Sequence, residues 1–328
     1  MTGLSDSFSR PINYLRLSVT DRCNLRCRYC LPEKGIPLLL HSQILSFEEF
    51  ITVAKIAAEL GITKIRLTGG EPLVRKDLPK LVEMLSKIEA ITDLSLTTNG
   101  VLLSRYANEL KQAGLRRVNI SLDSLKPDKF HYITRRSKLK QVFQGIDAAL
   151  KADLRPVKIN VVALRGVNDD EVIDFANLTI TDGWNVRFIE LMPFNRDAPF
   201  SAQFIPASEI KQRLLSHFGD LEPSTLPLGN GPAQYFRLPR AEGTIGFITP
   251  VSQHFCTSCN RLRLTASGKL RPCLFNDEEI DLQSPLRDGA SIEQIKQLIQ
   301  VAIQNKPYCH QLSEGVTTTK TTMARLGG

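Results

Sequence analysis

Short β-branched runs that alternate with amphipathic helical segments are the feature that most limits the folds open to this sequence. Six such runs lie at residues 13–19, 64–69, 93–98, 117–122, 157–162 and 186–191. Every run but the last is followed by a helical pattern, and strand-helix units in series form parallel sheets with right-handed crossovers. The sequence therefore predicts an α/β protein whose sheet curls into a partial or complete barrel.

The residues that begin and end the helices, and the point at which the strand-helix alternation stops, indicate the predicted domain organisation. The first helix begins at Ser46, which has capping-box spacing to Glu49, and it ends at Gly61. After residue 193 prolines interrupt the alternation, and short strands, a cysteine group and a helix at about 291–305 follow. We divide the chain into a barrel (1–200), a smaller C-terminal α+β region (201–312) and a flexible tail (313–328).

Composition narrows the class of protein. The chain has 328 residues, 42% of them hydrophobic, and no uninterrupted apolar run long enough to span a membrane. The N-terminus does not resemble a signal peptide, so the seven cysteines are expected to be ligands in a reducing compartment, and the protein to be cytoplasmic. A net charge of +8 favours an anionic partner.

Polar residues occupy one parity of the predicted strands. They are Arg16, Ser18, Arg66, Thr68, Ser95, Thr97, Asn119, Ser121, Asp123, Lys158 and Asn160, and Glu190 and Met192 extend the set to the sixth strand. If the apolar parity faces the helices, the polar parity points into the lumen, where buried cations are costly without an anion. The pattern predicts a binding cavity for a negatively charged ligand. For any single residue, an edge-strand charge that faces water is the alternative.

A first cysteine triplet follows the first strand, in the stretch TDRCNLRCRYCLP. Its members are Cys23, Cys27 and Cys30. A loop after a barrel strand lies at the carboxyl end of the sheet, where such barrels carry their chemistry. Most protein metal centres have four protein ligands, so one coordination position is missing. Spacing alone also permits a zinc site or buried thiols.

A second cysteine triplet lies in the C-terminal region. Its members are Cys256, Cys259 and Cys273. A zinc ribbon completed by His254 or Cys309 and an iron-sulfur site are both compatible with this spacing. Arg261 and Arg263 alternate on a strand that enters a predicted hairpin at 267–268, so both point to one side beside the cysteines. This placement suggests an anionic ligand near the second triplet.

Two motifs resemble the radical S-adenosylmethionine superfamily. They are the first triplet, with Tyr29 before its third cysteine, and TGGEP at 68–72, which follows the second strand. The resemblance implies a partial (βα)₆ TIM-like barrel. It also implies a [4Fe-4S] cluster held by Cys23, Cys27 and Cys30, whose fourth iron binds S-adenosylmethionine. A ligand's amino and carboxylate groups can approach Gly69 and Gly70 closely because neither residue has a Cβ.

Over essentially the whole chain, the sequence resembles the GTP 3′,8-cyclase family of molybdenum cofactor biosynthesis. The motifs are RPINYLRLSVTDRCNLRCRYC, IRLTGGEPLVRKDL, TTNG, NISLDSL, ELMP, CTSCNRLRLTASGKLRPCLF and a C-terminal Gly-Gly. The resemblance implies a second [4Fe-4S] cluster on Cys256, Cys259 and Cys273. The GTP contacts that it implies are Arg16, Arg66, Thr97, Lys158, Arg261 and Arg263. The implied S-adenosylmethionine contacts are Tyr29, Gly70, Ser121 and Met192. Leu31, where the family usually has methionine, departs from the pattern.

The activity implied by this resemblance is radical cyclisation of GTP to (8S)-3′,8-cyclo-7,8-dihydroguanosine 5′-triphosphate. The tail would insert into the barrel and bring Gly327 and Gly328 to the GTP site. The family also implies a homodimer, a one-electron donor such as a reductase, flavodoxin or ferredoxin, and hand-off of product to cyclic pyranopterin monophosphate synthase.

Two other functions remain open from the sequence. One is another radical S-adenosylmethionine enzyme with an accessory cluster, acting on a peptide or on tRNA. The other is a non-enzymatic metal module that binds nucleic acid through basic surface residues. Because the polar parity of the strands is predicted to face the lumen, we expect no nucleic-acid partner, and because no long apolar run occurs, we expect no membrane partner.

Overall fold

A parallel sheet forms the centre of the molecule. The computed structural model describes residues 4–194, 200–226, 229, 231–310, 312 and 321–327. The first six strands are β1 (Tyr14–Ser18), β2 (Lys64–Thr68), β3 (Asp93–Thr98), β4 (Arg117–Ser121), β5 (Lys158–Ala163) and β6 (Asn185–Glu190). Each pairs in parallel with the next, which confirms the predicted partial barrel.

Helices cover the outer face of these strands. They are α1 (Phe47–Glu59), α2 (Leu78–Ser86), α3 (Leu103–Gln112), α4 (Pro127–Thr134), α5 (Leu139–Lys151) and α6 (Val172–Thr181), with 3₁₀ turns at His41–Gln43, Pro72–Val74 and Asp169–Glu171. Ser46 caps α1 and forms the predicted capping box with Glu49. The apolar parity of the strands packs against these helices in one core that includes Leu15, Leu17, Ile65 and Leu67.

The part of the chain that follows β6 extends both edges of this sheet. Its elements are α7 (Phe200–Gln203), α8 (Ala207–Phe218), β7 (Glu222–Pro223), β8 (Gln234–Arg237), β9 (Thr244–Ile248), a 3₁₀ turn (Cys256–Ser258), β10 (Arg261–Leu264), β11 (Lys269–Arg271), β12 (Ile280–Asp281), α9 (Gln283–Arg287), α10 (Ile292–Gln304) and α11 (Met323–Leu326). Strand β9 pairs in parallel with β6, and β10 pairs in parallel with β1. Strands β10 and β11 form the predicted hairpin. The strand order is therefore β12-β11-β10-β1-β2-β3-β4-β5-β6-β9-β8-β7.

The sixth strand corrects one expectation about parity. Arg187 of β6 stands opposite Asn160, whereas Glu190 stands opposite Ala163 on the other parity. Glu190 borders the cavity where the strand ends, and its carboxylate accepts hydrogen bonds from the backbone N–H groups of Ala207 and Val251 at 3.0 and 3.1 Å. The assignment of Glu190 to the polar parity is therefore wrong, because the alternation of β6 places Arg187 there instead.

No helix in the described part of the chain has the length and apolar character needed to cross a membrane.

Candidate functional site

Both cysteine triplets line one cavity of about 320 Å³ inside the barrel. The first triplet lies on the loop after β1, at the carboxyl end of the sheet. The second lies on the segments that precede β10 and follow β11. Strand β10 pairs with β1, so the fold brings two sequence motifs from opposite ends of the chain to one space.

Backbone hydrogen bonds shape the loop of the first triplet. The N–H groups of Cys30 and Leu31 donate to the carbonyl of Cys27 at 3.0 and 2.9 Å. The N–H of Arg26 donates to the carbonyl of Thr134, the last residue of α4, at 3.0 Å. This folding holds the loop against a helix and leaves the three thiols on the cavity wall.

Two glycines after β2 let this loop lie against the sheet. A Cβ on Gly70 would lie 2.4 Å from the carbonyl oxygen of Arg22, and one on Gly69 would lie 2.6 Å from that of Thr20. The N–H of Gly70 donates to Thr20 at 2.8 Å. The sequence suggested that these glycines allow a ligand to approach closely. The structure shows a second requirement, because a side chain at either position would collide with the backbone of the cysteine loop. Contact of Gly70 with S-adenosylmethionine stays a prediction.

At the first triplet, burial outweighs the neighbouring groups that favour the ionised thiols. Burial is the largest cause that raises the pKa of Cys23 to about 11 and that of Cys30 to about 12. Burial also raises the pKa of Asp123 to about 6 and that of Glu71 to about 7. Thiols and carboxyl groups that lie together in this way favour a ligand that brings positive charge, because it would stabilise their ionised forms.

The second triplet has a different electrostatic environment. Burial acts to raise the pKa of the Cys259 thiol, but Arg261 and Lys306 outweigh it and hold that pKa at about 6. By contrast, burial raises the pKa of Cys256. These neighbours therefore favour the thiolate form of Cys259, which is the form that binds metals.

The donor sets fit clusters with an open position. In the described residues, no three His, Cys, Asp or Glu side chains surround a point that would hold a single metal ion. Neither His254 nor Cys309, the candidates for a fourth ligand, is among the described residues that line the cavity. Three cysteines that face a shared space are the donor set of a [4Fe-4S] cluster with one open iron.

Strand register places cations side by side between the two triplets. Arg263, Arg16 and Arg66 are direct neighbours on β10, β1 and β2. In a second row, Arg261, Tyr14 and Lys64 are neighbours on the same three strands. Paired strands lie roughly 4.8 Å apart, so these positive charges repel one another unless an anion lies among them.

Buried polar atoms on the cavity wall also favour an anionic ligand. Among the described residues, Nε of Arg66 and Oγ1 of Thr97 are buried and have no hydrogen-bond partner. Both residues line the cavity. Buried donors of this kind cost free energy unless a ligand or water satisfies them. A polyanion with ribose hydroxyl groups would supply the acceptors.

The ten residues that we predicted to contact GTP or S-adenosylmethionine all line this one cavity. Tyr29, one of the four residues predicted to contact S-adenosylmethionine, donates from its hydroxyl to Oδ2 of Asp123 at 2.8 Å. Ser121 and Met192 lie on the wall, at the end of β4 and after β6. The cavity therefore collects the predicted residues, whereas their individual ligand contacts stay predictions.

The sequence reasoning missed several residues of the cavity wall, among them Tyr14, Lys64, Arg117 and Arg187. Lys64 and Arg117 share an ion pair with Asp93, at 3.1 and 2.6 Å. Nε of Arg187 donates to Oδ1 of Asn160 at 2.8 Å. For Tyr14, Lys64 and Arg117 the signal was the polar parity itself, since each lies two residues before a member that we did include.

The C-terminal tail enters the barrel. The carbonyl oxygen of Gly327 accepts hydrogen bonds from Nη2 of Arg16 at 3.0 Å and from Nη1 of Arg263 at 3.4 Å. A Cβ at Gly327 would lie 2.6 Å from Cγ2 of Thr68, and its φ of +78° favours glycine. Gly328 lies outside the described residues. The tail thus reaches the row of cations that we predicted to bind GTP.

Comparison with known proteins supports this arrangement. Residues 17–179 match the model of the radical SAM superfamily, and residues 184–312 match the model described as Molybdenum Cofactor Synthesis C. The GTP 3′,8-cyclase of Desulforamulus reducens is 53% identical, over 98% of this chain and 99% of that protein. That of Moorella thermoacetica is 52% identical, over 99% of this chain and 100% of that protein.

The chain belongs to the GTP 3′,8-cyclase family. Among solved structures, Streptococcus suis SuiB has the same fold with a TM-score of 0.58 and 12% identity, covering 90% of this chain and 67% of that chain. SuiB supports the radical SAM fold and nothing further. The family assignment confirms the identification made from the two cysteine triplets and the terminal glycines.

Proposed function

We propose that this chain cyclises GTP to (8S)-3′,8-cyclo-7,8-dihydroguanosine 5′-triphosphate, the first step of molybdenum cofactor biosynthesis. The observation that carries the proposal is the separation of acidic and basic residues along the cavity. Thiols and carboxyl groups with raised pKa values lie at one end, and rows of buried cations lie between them and the second triplet. S-adenosylmethionine is a sulfonium cation and GTP is a polyanion, so each has an end that suits it.

At the first end, Cys23, Cys27 and Cys30 would hold a [4Fe-4S] cluster. S-adenosylmethionine on the open iron would supply the radical that takes hydrogen from C3′ of GTP. The contacts proposed for it are Tyr29, Gly70, Ser121 and Met192. The hydrogen bond from Tyr29 to Asp123 fixes the aromatic ring on the cavity wall.

At the other end, the cations would bind the triphosphate and the nucleoside. The proposed contacts are Arg16, Arg66, Thr97, Lys158, Arg261 and Arg263. Charge-assisted hydrogen bonds from guanidinium groups suit phosphate oxygens, and they would remove the mutual repulsion of the neighbouring strands. Arg187 and Lys64, which line the same wall, extend this surface.

The second triplet is proposed to hold a second [4Fe-4S] cluster that contacts the guanine ring. Its cysteines face the same cavity as the cation rows, so a nucleotide bound to the cations would reach it. Arg261 and Lys306 hold the pKa of Cys259 at about 6, which favours the metal-binding thiolate at neutral pH. Loading of this site would therefore require little proton release from that ligand.

In this mechanism the residues of the chain position the reactants and exclude water. Two fixed ligand sites at opposite ends of one buried space would hold C3′ of GTP close to the source of the radical. Gly327, hydrogen-bonded to Arg16 and Arg263, would close the cavity beside the substrate. Formation of the C3′–C8 bond then needs one further electron and one proton.

Other parts of the proposal rest on the family. We propose a cytoplasmic homodimer that receives electrons from a reductase, flavodoxin or ferredoxin and passes its product to cyclic pyranopterin monophosphate synthase. We also retain the division into residues 1–200, 201–312 and 313–328 as a proposal. The sheet itself is continuous across the first boundary.

Anaerobic reconstitution followed by product analysis tests the function. About eight irons per chain and a GTP-derived product with the C3′–C8 bond are expected when a low-potential reductant and S-adenosylmethionine are supplied. Four irons with one zinc would contradict the role of the second triplet. Turnover that required a peptide or tRNA, with GTP left unchanged, would favour the alternative radical enzyme.

A further inference from the structure

Lys306 is a buried lysine beside the second cysteine triplet. The proposed reaction assigns no role to this lysine. It follows α10 and is 3% exposed. Its side chain lines the cavity together with Cys256, Cys259 and Cys273. Lysine is almost never fully buried unless it is paired, so this position requires an explanation.

The ammonium group ties together two segments that carry cysteines. Nζ of Lys306 donates to the carbonyl of Arg261 at 2.9 Å and to that of Pro272 at 2.5 Å. Arg261 lies two residues after Cys259, and Pro272 immediately precedes Cys273. One cation therefore fixes the spacing of two of the three proposed ligands.

A second buried cation holds the loop of Lys306 in place. The guanidinium of Arg10 donates to the carbonyls of Pro307 and Tyr308 at 2.7 and 2.8 Å. It also donates to the carbonyl of Cys256 at 2.8 Å and forms an ion pair with Asp6 at 2.6 Å. The third cysteine segment is thereby attached to the loop that carries Lys306.

The charges around Lys306 indicate what it neutralises. Its strongest attractive neighbours are the sulfurs of Cys259 and Cys273, and its strongest repulsive neighbours are Arg261 and Arg10. A buried ammonium beside two guanidinium groups is costly without anions. Cysteine thiolates that bind a cluster supply this negative charge, and reduction of the cluster adds to it.

We propose that Lys306 is a positioning residue of the second [4Fe-4S] cluster and that its positive charge raises the reduction potential of that cluster. The inference rests on the proposed function, because it requires a cluster on the second triplet. Potentials of such clusters depend on net charge and on hydrogen bonds near the sulfurs, and residues behind the ligands fix their orientation. Lys306 provides both effects from one side chain.

The experiment isolates the second cluster in a Cys27→Ala parent, so that signals of the first cluster do not interfere. Three variants are added to this parent: Lys306→Met removes charge and donors, Lys306→Gln keeps donors without charge, and Lys306→Arg keeps the charge. Lys296→Met is the matched control, since this lysine lies on α10 and is partly exposed. Iron and sulfide content, and the midpoint potential from a redox titration followed by electron paramagnetic resonance, are measured without GTP.

Lys306→Gln and Lys306→Met are expected to disfavour the reduced cluster about tenfold, which lowers a one-electron midpoint potential by about 59 mV. Lys306→Arg should restore most of this shift, and Lys296→Met should cause none. Unchanged potentials in both neutral variants at full iron content would overturn the proposal.

Poor cluster loading is also informative. Loss of loading in the two neutral variants, with loading retained in Lys306→Arg and unchanged melting of the apoproteins, supports the positioning role. Equal loss in all three variants would show that only native packing matters and would overturn it. If the Cys27→Ala parent itself binds no iron or binds zinc, the second cluster is absent, and the proposed function fails together with this inference.

Discussion

The two ends of the cavity use the same residue type, cysteine, in opposite electrostatic settings. Burial raises the pKa of Cys27 at the first end well above its usual value, and Asp123 adds to the effect. At the second end, Arg261 and Lys306 outweigh burial and hold the pKa of Cys259 at about 6. Three cysteines that face one cavity therefore do not define one kind of site.

This difference assigns separate tasks to the two ends. Protonated thiols at the first end must lose their protons when iron binds, so cluster assembly there releases protons and becomes less favourable as the pH falls. At the second end, cations lower the pKa of Cys259 and favour its thiolate form. The same cations suit an anionic substrate. Charge would thus orient two cofactors and one substrate in a single space.

The largest expected effect separates the two triplets by mutation. Cys27→Ala should abolish reductive cleavage of S-adenosylmethionine, because the cluster that delivers the electron is lost. Cys259→Ala should retain some cleavage, uncoupled from the substrate, while cyclisation of GTP disappears. Both outcomes are measured as 5′-deoxyadenosine and cyclised nucleotide formed under anaerobic conditions. Cyclisation at the normal rate in the Cys259 variant would contradict a substrate role for the second end.

The second prediction concerns the tail, which contacts Arg16 and Arg263 among the cations that are proposed to bind GTP. Deletion of Gly327 and Gly328 should leave both clusters and cleavage of S-adenosylmethionine in place. Hydrogen abstraction from C3′ should fall roughly a hundredfold, the size of effect expected when reacting groups are misplaced by about 1 Å. The assay is deuterium transfer from 3′-deuterated GTP into 5′-deoxyadenosine.

A single substitution makes the same test sharper. Gly327→Ala keeps the chain length but places a Cβ 2.6 Å from Cγ2 of Thr68, in a backbone conformation that favours glycine. It should therefore reproduce much of the deletion. Normal deuterium transfer in both variants would mean that the tail is dispensable.

The third prediction weakens the basic end without changing the first cluster. Replacement of Arg66, Lys158, Arg261 or Arg263 by Ala removes a charge-assisted hydrogen bond worth roughly 1.5 to 3 kcal/mol. GTP affinity measured by calorimetry should fall roughly tenfold to a hundredfold in each variant. Lys87→Ala is the control, because that lysine is 70% exposed. Unchanged affinity in all four variants would contradict the assignment of this end to GTP.

Much of this site was predictable because its determinants repeat along the sequence. Strand parity alone identifies Arg16, Arg66 and Lys158, since alternation in a helix-covered barrel leaves one direction for polar side chains. The cysteine triplets and the glycines at 69–70 are recognisable from spacing. The predicted turn at 267–268 also fixes the direction of Arg261 and Arg263.

The residues that could not be predicted from the sequence depend on strand register or on contacts between segments that are distant in the chain. When the polar parity of β6 is assigned from the residues at its end, Glu190 is selected. Only the register with β5 shows that Arg187 faces the lumen instead. Lys306 follows a helix and has no parity to indicate it, and its role emerges from carbonyls contributed by two distant segments. The packing role of Gly70 also depends on the fold, because the backbone that it contacts belongs to the cysteine loop.

The smallest expected effect is the pH dependence of GTP binding at the basic end. Burial, with Arg187 and Arg117 nearby, lowers the pKa of Lys158 to about 6. The free protein therefore holds this lysine mostly neutral at pH 7, and a bound triphosphate would raise its pKa and protonate it. Binding should then take up a proton, and affinity should fall roughly fivefold between pH 6 and pH 7 as the free lysine deprotonates.

Calorimetry in buffers of different ionisation enthalpy measures this uptake directly. Lys158→Arg is the matched variant, because guanidinium stays charged over this range and the titration of GTP itself is unchanged. The variant should take up about one proton fewer at pH 7, with a shallower loss of affinity as the pH rises. Equal proton uptake in the two proteins would show that Lys158 is charged before GTP arrives. The basic end would then hold its full positive charge even without substrate, and the contrast with the protonated thiols of the first end would be greater still.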